Sequence, residues 1–249
     1  MLREILRASL IFVMLVVPMC AAVLTFQISD ATNNQSIPQT YGDNISAFSV
    51  GTFTYGSAGG LTPNVAVSYG PATRGIGSTV DCGSPYPPAD GTGCVYWWNG
   101  NFGDLTTPVI GQLGRGATYE GKVLVTLTAD PGYWVTLASL DLAGWYTTSM
   151  PAINGVTVLD GSDALLASQL GISVPARGVG HVSLSFTGIY ASTLKIWMDA
   201  SNLGTNGENV GLSNLQFGQL AVPEPSTWFS LASGLGLVAL GLRRRRRNR

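Results

Sequence analysis

From residue 23 to about residue 221 the chain alternates apolar and polar positions with a period of two, not the 3.6 of a helix. In KVLVTLTA, Val123, Val125 and Leu127 face one way while Leu124, Thr126 and Thr128 face the other. In HVSLSF, Val182, Leu184 and Phe186 alternate with His181, Ser183 and Ser185. In TLKIWMD, Leu194, Ile196 and Met198 alternate with Thr193, Lys195, Trp197 and Asp199. Further strand patterns cover 23–29, 64–70, 133–142, 155–159 and 212–220. The turn-rich clusters ADPG (129–132), DGSD (160–163) and NLGTNGEN (202–209) punctuate them. Only SDALLASQL, 162–170, leaves room for one or two turns of helix. Many short alternating strands joined by Gly-rich loops predict two packed antiparallel sheets, an all-β sandwich over residues 23–221. There is no internal repeat, which argues against a propeller or a solenoid.

Both ends depart from this pattern. MLREILRASLIFVMLVVPMCAA begins with Arg3 and Arg7, continues with an apolar run from Leu10 to Val17, and ends in small residues after Pro18. That is the layout of a cleavable signal peptide, residues 1–22, with the cut after Ala22. The apolar run falls short of the roughly 20 residues a stable membrane span needs. Lipid attachment at Cys20 fits less well, because Val17, Pro18 and Met19 lack the small residues such a site prefers. The expected route is export through the Sec machinery.

Charge sharpens the separation between ends and body. Charged residues make up 11% of the chain, against about 25% in an average soluble domain. The net charge is −1, but eight of the thirteen basic residues lie at the two ends: Arg3, Arg7, Arg243 to Arg247 and Arg249. The body keeps five bases against twelve acids, or −7. An acidic body repels phosphates, so no nucleic acid is expected as a partner. Export also changes the reading of the cysteines. Cys20 leaves with the signal, and Cys82 and Cys94 bracket DCGSPYPPADGTGC, so a disulfide is expected between them. Closing a loop of this size contributes about 3 kcal/mol in the chain-entropy model. Two cysteines and the single His181 are too few for a structural zinc site.

The last 28 residues, VPEPSTWFSLASGLGLVALGLRRRRRNR, have three parts. Pro223, Glu224 and Pro225 forbid helix and ladder pairing and leave the chain extended and accessible. Trp228 to Leu242 is apolar or small, and as a helix it spans about 22 Å against the ~30 Å of the hydrocarbon core. Arg243, Arg244, Arg245, Arg246 and Arg247 then hold that end in the cytoplasm. A short span stopped by arginines suits a substrate parked in the membrane for processing.

This three-part tail resembles the PEP-CTERM sorting signal of exported bacterial proteins. The resemblance covers residues 222–249, about a tenth of the chain. It implies that exosortase, a multi-pass membrane enzyme, recognises Pro223, Glu224 and Pro225, with Trp228 to Leu242 as transmembrane helix and the arginine run as stop. The body, through LTPNVAVSYG, ADPGYWVTLASLDLAGW and LSNLQFGQ, is similar to the jelly-roll, carbohydrate-binding-module-like bodies often found ahead of such tails. The expected architecture is therefore an all-β, antiparallel, jelly-roll-like β-sandwich flanked by an N-terminal signal peptide and a C-terminal transmembrane sorting helix.

Chemistry is sparser. With one histidine, a Ser-His-Asp arrangement would rest on His181 alone, and that residue sits on the polar phase of its strand as a solvent-facing side chain. Asp90, Asp130, Asp160 and Asp163 lie beside Gly or in turns, where Asp serves to cap the backbone. No GxSxG, HExxH or phosphate-loop pattern occurs. A non-enzymatic body is expected. Sugar binding by exposed aromatic rings is the better fit, with polar neighbours taking the hydroxyls. The candidates are Trp97, Trp98, Asn99 and Asn101 in CVYWWNGNFGD, with Trp145 and Trp197 elsewhere. Trp97 and Trp98 are adjacent, so on a strand one faces the core and the other solvent. Asp30 and Asp43 lie in oxygen-rich loops that suggest calcium but lack the spacing of a defined calcium loop. The expected protein is a recognition or scaffolding module sorted to the surface, where extracellular polysaccharide is a candidate partner. Two alternatives stay open: a tail-anchored periplasmic or inner-membrane protein that is never processed, and a secreted polysaccharide-active enzyme built on paired carboxylates.

Overall fold

The computed structural model describes residues 21–26, 35–37, 40–45, 49–50, 53–54, 61–70, 95–98, 100, 102–110, 121–148 and 150–222. In chain order the strands are β1 Ala21–Leu24, β2 Gln35–Ser36, β3 Ser49–Val50, β4 Phe53–Thr54, β5 Val65–Gly70, β6 Tyr96–Trp97, β7 Val109–Ile110 and β8 Lys122–Ala129. They continue with β9 Tyr133–Gly144, β10 Ile153–Asp160, β11 Leu165–Ile172, β12 Val182–Ser185, β13 Tyr190–Ala191, β14 Thr193–Asp199 and β15 Val210–Ala221. A 3-10 segment, Ser201–Asn209, joins β14 to β15 and is interrupted at Gly204.

These strands form two antiparallel sheets, as the period-two pattern predicts. The first runs β12-β9-β15-β7-β6-β2, with β1 added to β15 and β13 to β9. The second runs β11-β10-β14-β8-β5, and β3 with β4 makes a separate hairpin. One core fills the space between the sheets. Val125, Leu127, Val156, Val158, Ile196 and Met198 from the second sheet meet Leu137, Leu140, Leu142, Leu215 and Phe217 from the first, none more than 2% exposed. Each such side chain contributes about 1.5–3 kcal/mol by leaving water.

Three expectations are adjusted. Residues 162–170 make no helix: Leu165–Ile172 is a strand paired along β10 from Ile153↔Ile172 to Leu159↔Leu165. The other side of β10 is taken by β14, and a helix here would leave the remaining row of backbone donors and acceptors unpaired. The turn that starts β11 is set by Asp160, whose Oδ1 accepts from Ser162 N (2.8 Å), Ser162 Oγ (2.7 Å) and Ala164 N (2.9 Å). These bonds, led by the Ser162 hydroxyl, hold the Asp160 carboxyl below its ordinary range. Secondly, β8 is covered on both faces, so Leu124 and Thr126 are buried along with Val123, Val125 and Leu127. Thirdly, the first strand begins at Ala21, and Ala22 and Leu24 enter the core. A cut after Ala22 would leave Val23 and Leu24 to hold that edge. The rest of residues 1–22 lies outside the described residues, as do Cys82, Cys94 and the tail from Pro223 onward. Among the described residues no helix is long and apolar enough to cross a membrane.

Candidate functional site

Four separate parts of the chain are knitted together at one pole of the first sheet. Gly103 N donates to Gly144 O (2.9 Å), Gly178 N to Gly103 O (3.1 Å), Arg177 N to Tyr146 O (2.7 Å) and Trp145 N to Asn209 O (2.9 Å). Gly103 is the crossing point. Its φ is +54°, and a Cβ there would lie 1.9 Å from Gly180 O and 2.8 Å from Ala143 Cβ, so only glycine fits.

This rim carries an aromatic shelf. The Trp98 ring meets Trp145 edge-on at 6.5 Å, and Trp145 in turn lies 6.4 Å from Tyr146. The Arg177 guanidinium sits 5.7 Å from the centre of the Trp145 ring, close enough for a cation–π contact that restrains the ring. Tyr146 Oη donates to Asn206 Oδ1 at 2.8 Å. Trp98 is anchored below by Phe102, Leu105 and Ile110, while Trp145 remains 36% exposed.

Beside the shelf lies a polar cleft of about 210 Å³, whose walls include Asp104, Leu105, Thr106, His181, Ser213 and Asn214. His181 stands between two carboxylates. Its Nδ1 is 2.7 Å from Asp104 Oδ1, and its Nε2 is 3.7 Å from Asp141 Oδ2. Asp141 is 9% exposed, and it also accepts from Ser183 Oγ (2.6 Å) and Asn214 Nδ2 (2.7 Å). Asn214 reaches it because β15 is bulged between Ser213 and Gln216, with Asn214 itself at φ +49°. Asn tolerates that left-handed conformation better than most residues. The hydrogen bond to Asp104, aided by the charges of Asp141 and Asp104, raises the His181 pKa above 6.5 against the opposing pull of partial burial. His181 is thus a paired side chain, where the strand phase alone suggested a solvated one.

The predicted site residues divide. Trp98 and Trp145 come together on the shelf. Trp97 does not join them: it is 3% exposed, and its Nε1 donates to Phe26 O at 2.8 Å, so it is a core residue. Trp197 is half-buried on the second sheet, between Leu124 of β8 and Thr157 of β10. Asn99, Asn101, Cys82, Cys94 and Asp30 lie outside the described residues, as do Pro223, Glu224, Pro225 and Arg243 to Arg247. The Asp43 carboxylate accepts from Val67 N, and burial raises its pKa against that bond. Among the described residues no group of three or more His, Cys, Asp or Glu is placed to hold a metal. Asp104, Asp141, Arg177 and Asn214 went unseen in the sequence. The one signal for them was an Asn inside the otherwise regular strand pattern LSNLQF, a mark of a bulge.

The chain's similarity to known proteins lies elsewhere, in the last part of the sequence. The family model described as the PEP-CTERM protein-sorting motif matches residues 221–247. No curated protein matches the chain. The described residues thus form an all-β body, and the sorting motif begins at Ala221, the residue that ends β15. That motif marks an exported protein, anchored in the membrane at its C-terminus before cleavage and handled by exosortase.

Proposed function

We propose that the protein is a non-enzymatic recognition module, cut at Pro-Glu-Pro and delivered to the cell surface or extracellular matrix, whose body binds polysaccharide at the rim. The shelf carries this reading. An aromatic face offered to solvent beside a cleft of hydroxyl, amide and carboxylate groups suits a sugar, whose C–H side stacks on the ring while its hydroxyls take the polar groups. Trp98, Trp145 and Tyr146 supply the apolar surface; Asp104, His181 and Asn214 supply the donors and acceptors. The body is read as a jelly-roll of the carbohydrate-binding-module kind, with extracellular polysaccharide as its partner. Retention of the full chain on a panel of immobilised polysaccharides tests it. Wild type should be retained on at least one and Trp145→Ala on none; failure of the wild type on every polysaccharide would sink the reading.

A second reading draws on one specific observation. Asp104 and His181 line the cleft, Asp141 lies on the far side of His181, and paired carboxylates at a suitable spacing hydrolyse glycosidic bonds. Under that reading the wild type releases reducing ends from a polysaccharide, and Asp104→Asn and Asp141→Asn each abolish the release. Retention without release leaves the binding module.

A further inference from the structure

Strand pairing brings both ends of the body to one pole. Ala21 of β1 lies opposite Gly218 of β15, and β15 stops three residues later at Ala221, opposite Tyr133. Val222 N still donates to Gly132 O at 2.8 Å, so the chain is held to the β8–β9 turn up to the residue before Pro223. From Val222 to Trp228, where the apolar segment starts, there are six residues. Fully extended they reach at most about 20–22 Å. While the tail is anchored, this pole cannot leave the neighbourhood of the bilayer surface.

The same pole displays apolar side chains that the core does not use. Trp134, whose strand partner is Leu220, stacks on Tyr190 with ring centres 5.0 Å apart and planes tilted by 31°. Tyr190 is 51% exposed. Leu165 and Leu166, 63% and 36% exposed, open β11 at this end, next to the turn that Asp160 caps. Tryptophan and tyrosine favour the boundary between headgroups and acyl chains, where the ring is sheltered and the polar tip is wet. Asp130 and the Asp163–Lys195 pair share this pole, so attraction to anionic lipid contributes little. The rim with Trp145 is at the far end of β15, eleven residues away from Val210 to Ala221, or about 36 Å.

We propose that Trp134 and Tyr190, with Leu165 and Leu166 at the same end of the other sheet, seat the anchored protein on the bilayer that holds its tail, keeping Pro-Glu-Pro at headgroup depth and turning the rim outward. The proposal rests on the tail being membrane-anchored. The test reconstitutes the full, uncut chain in phosphatidylcholine vesicles containing a photoactivatable phosphatidylcholine, and maps lipid adducts by mass spectrometry. Adducts are expected on 133–137 and 189–192 as well as in the tail, and Tyr190→Ser should reduce them on both segments several-fold. Adducts confined to the tail overturn the seating and leave the anchor standing. Adducts on 133–137 only when exosortase is present would make the surface a protein contact and also overturn it. A chain that fails to float with the vesicles has no anchor, and the seating falls with it.

Discussion

The two sheets of the sandwich are built to different standards of regularity. In the second sheet β14 matches β8 through seven consecutive partners, Thr193↔Thr128 to Asp199↔Lys122, and β5 matches β8 through six, with no break in either ladder; its one shift among the described pairs lies in the outer β10–β11 ladder, between Val158 and Leu159. In the first sheet the long β9–β15 ladder shifts register between Ser213 and Gln216 and again before Phe217. That break places Asn214 against Asp141 and opens the wall of the cleft. A regular sheet supplies rigidity and a core face. An irregular one can aim polar side chains, at the expense of ladder bonds. The division predicts that core damage in the second sheet costs stability, while changes around the first sheet's rim cost recognition.

The largest effect should come from the regular sheet. Leu127→Ala, at a position with no exposure, removes core volume and is expected to destabilise by about 2–5 kcal/mol in chemical denaturation. A loss well under 1 kcal/mol would mean the sheets are not packed face to face there. Gly103→Ala comes next. Its left-handed φ and the close Gly180 carbonyl predict a loss of about 2–4 kcal/mol, with the rim disordered. Wild-type stability in this variant would show that the 102–107 and 175–181 segments do not cross as described.

Asp141→Ala strips partners from Ser183, Asn214 and His181 and should cost about 1–3 kcal/mol, less than the core change. Trp145→Ala sharpens the contrast from the other side. Its ring is partly exposed, so the melting temperature should stay within a few degrees of wild type while retention on polysaccharide falls at least tenfold. Equal losses of stability and retention would make the shelf a structural feature only.

The smallest effect is electrostatic. His181 has a folded pKa raised above 6.5, so its bonds to the Asp104 and Asp141 carboxylates stabilise the rim fully below about pH 6.5 and are lost as pH rises through the raised value. With His181 and Asp104 partly in solvent, the change in melting temperature between pH 6 and pH 8 attributable to His181 should be about a degree and vanish in His181→Gln. A rise in stability across that range, removed by His181→Gln, would contradict the pairing.

What the sequence disclosed follows the same division. In the second sheet TLKIWMD occupies β14 residue for residue, because its alternation is local and neither neighbouring ladder interrupts it. Residues 162–170, with room for one or two turns of helix, form β11 instead, because the unpaired edge of β10 that draws them into a ladder is not visible in those nine residues. The rim was only half legible. Adjacent Trp97 and Trp98 had to point to opposite sides, but only the Phe26 carbonyl, 71 residues away, decides which one enters the core. The grouping of Asp104, Asp141, His181 and Asn214 depends on a bulge and on a Gly–Gly crossing, neither of which has a local period. The tail was fully legible as a motif, because a sorting enzyme reads it as a linear segment and no packing is needed to assemble it.

The central claim is that this sandwich is exported, held by its C-terminal segment and then cut. The most direct measurement is the intact mass of the protein recovered from its native host, with both termini sequenced. The account predicts a chain that starts near Val23, ends between Pro223 and Pro225, and is two hydrogens lighter than the reduced form through a Cys82–Cys94 bond. Mass added at the C-terminus would identify what the cut end is attached to. A chain that still carries Arg243 to Arg249 would contradict the account and make the tail a permanent anchor.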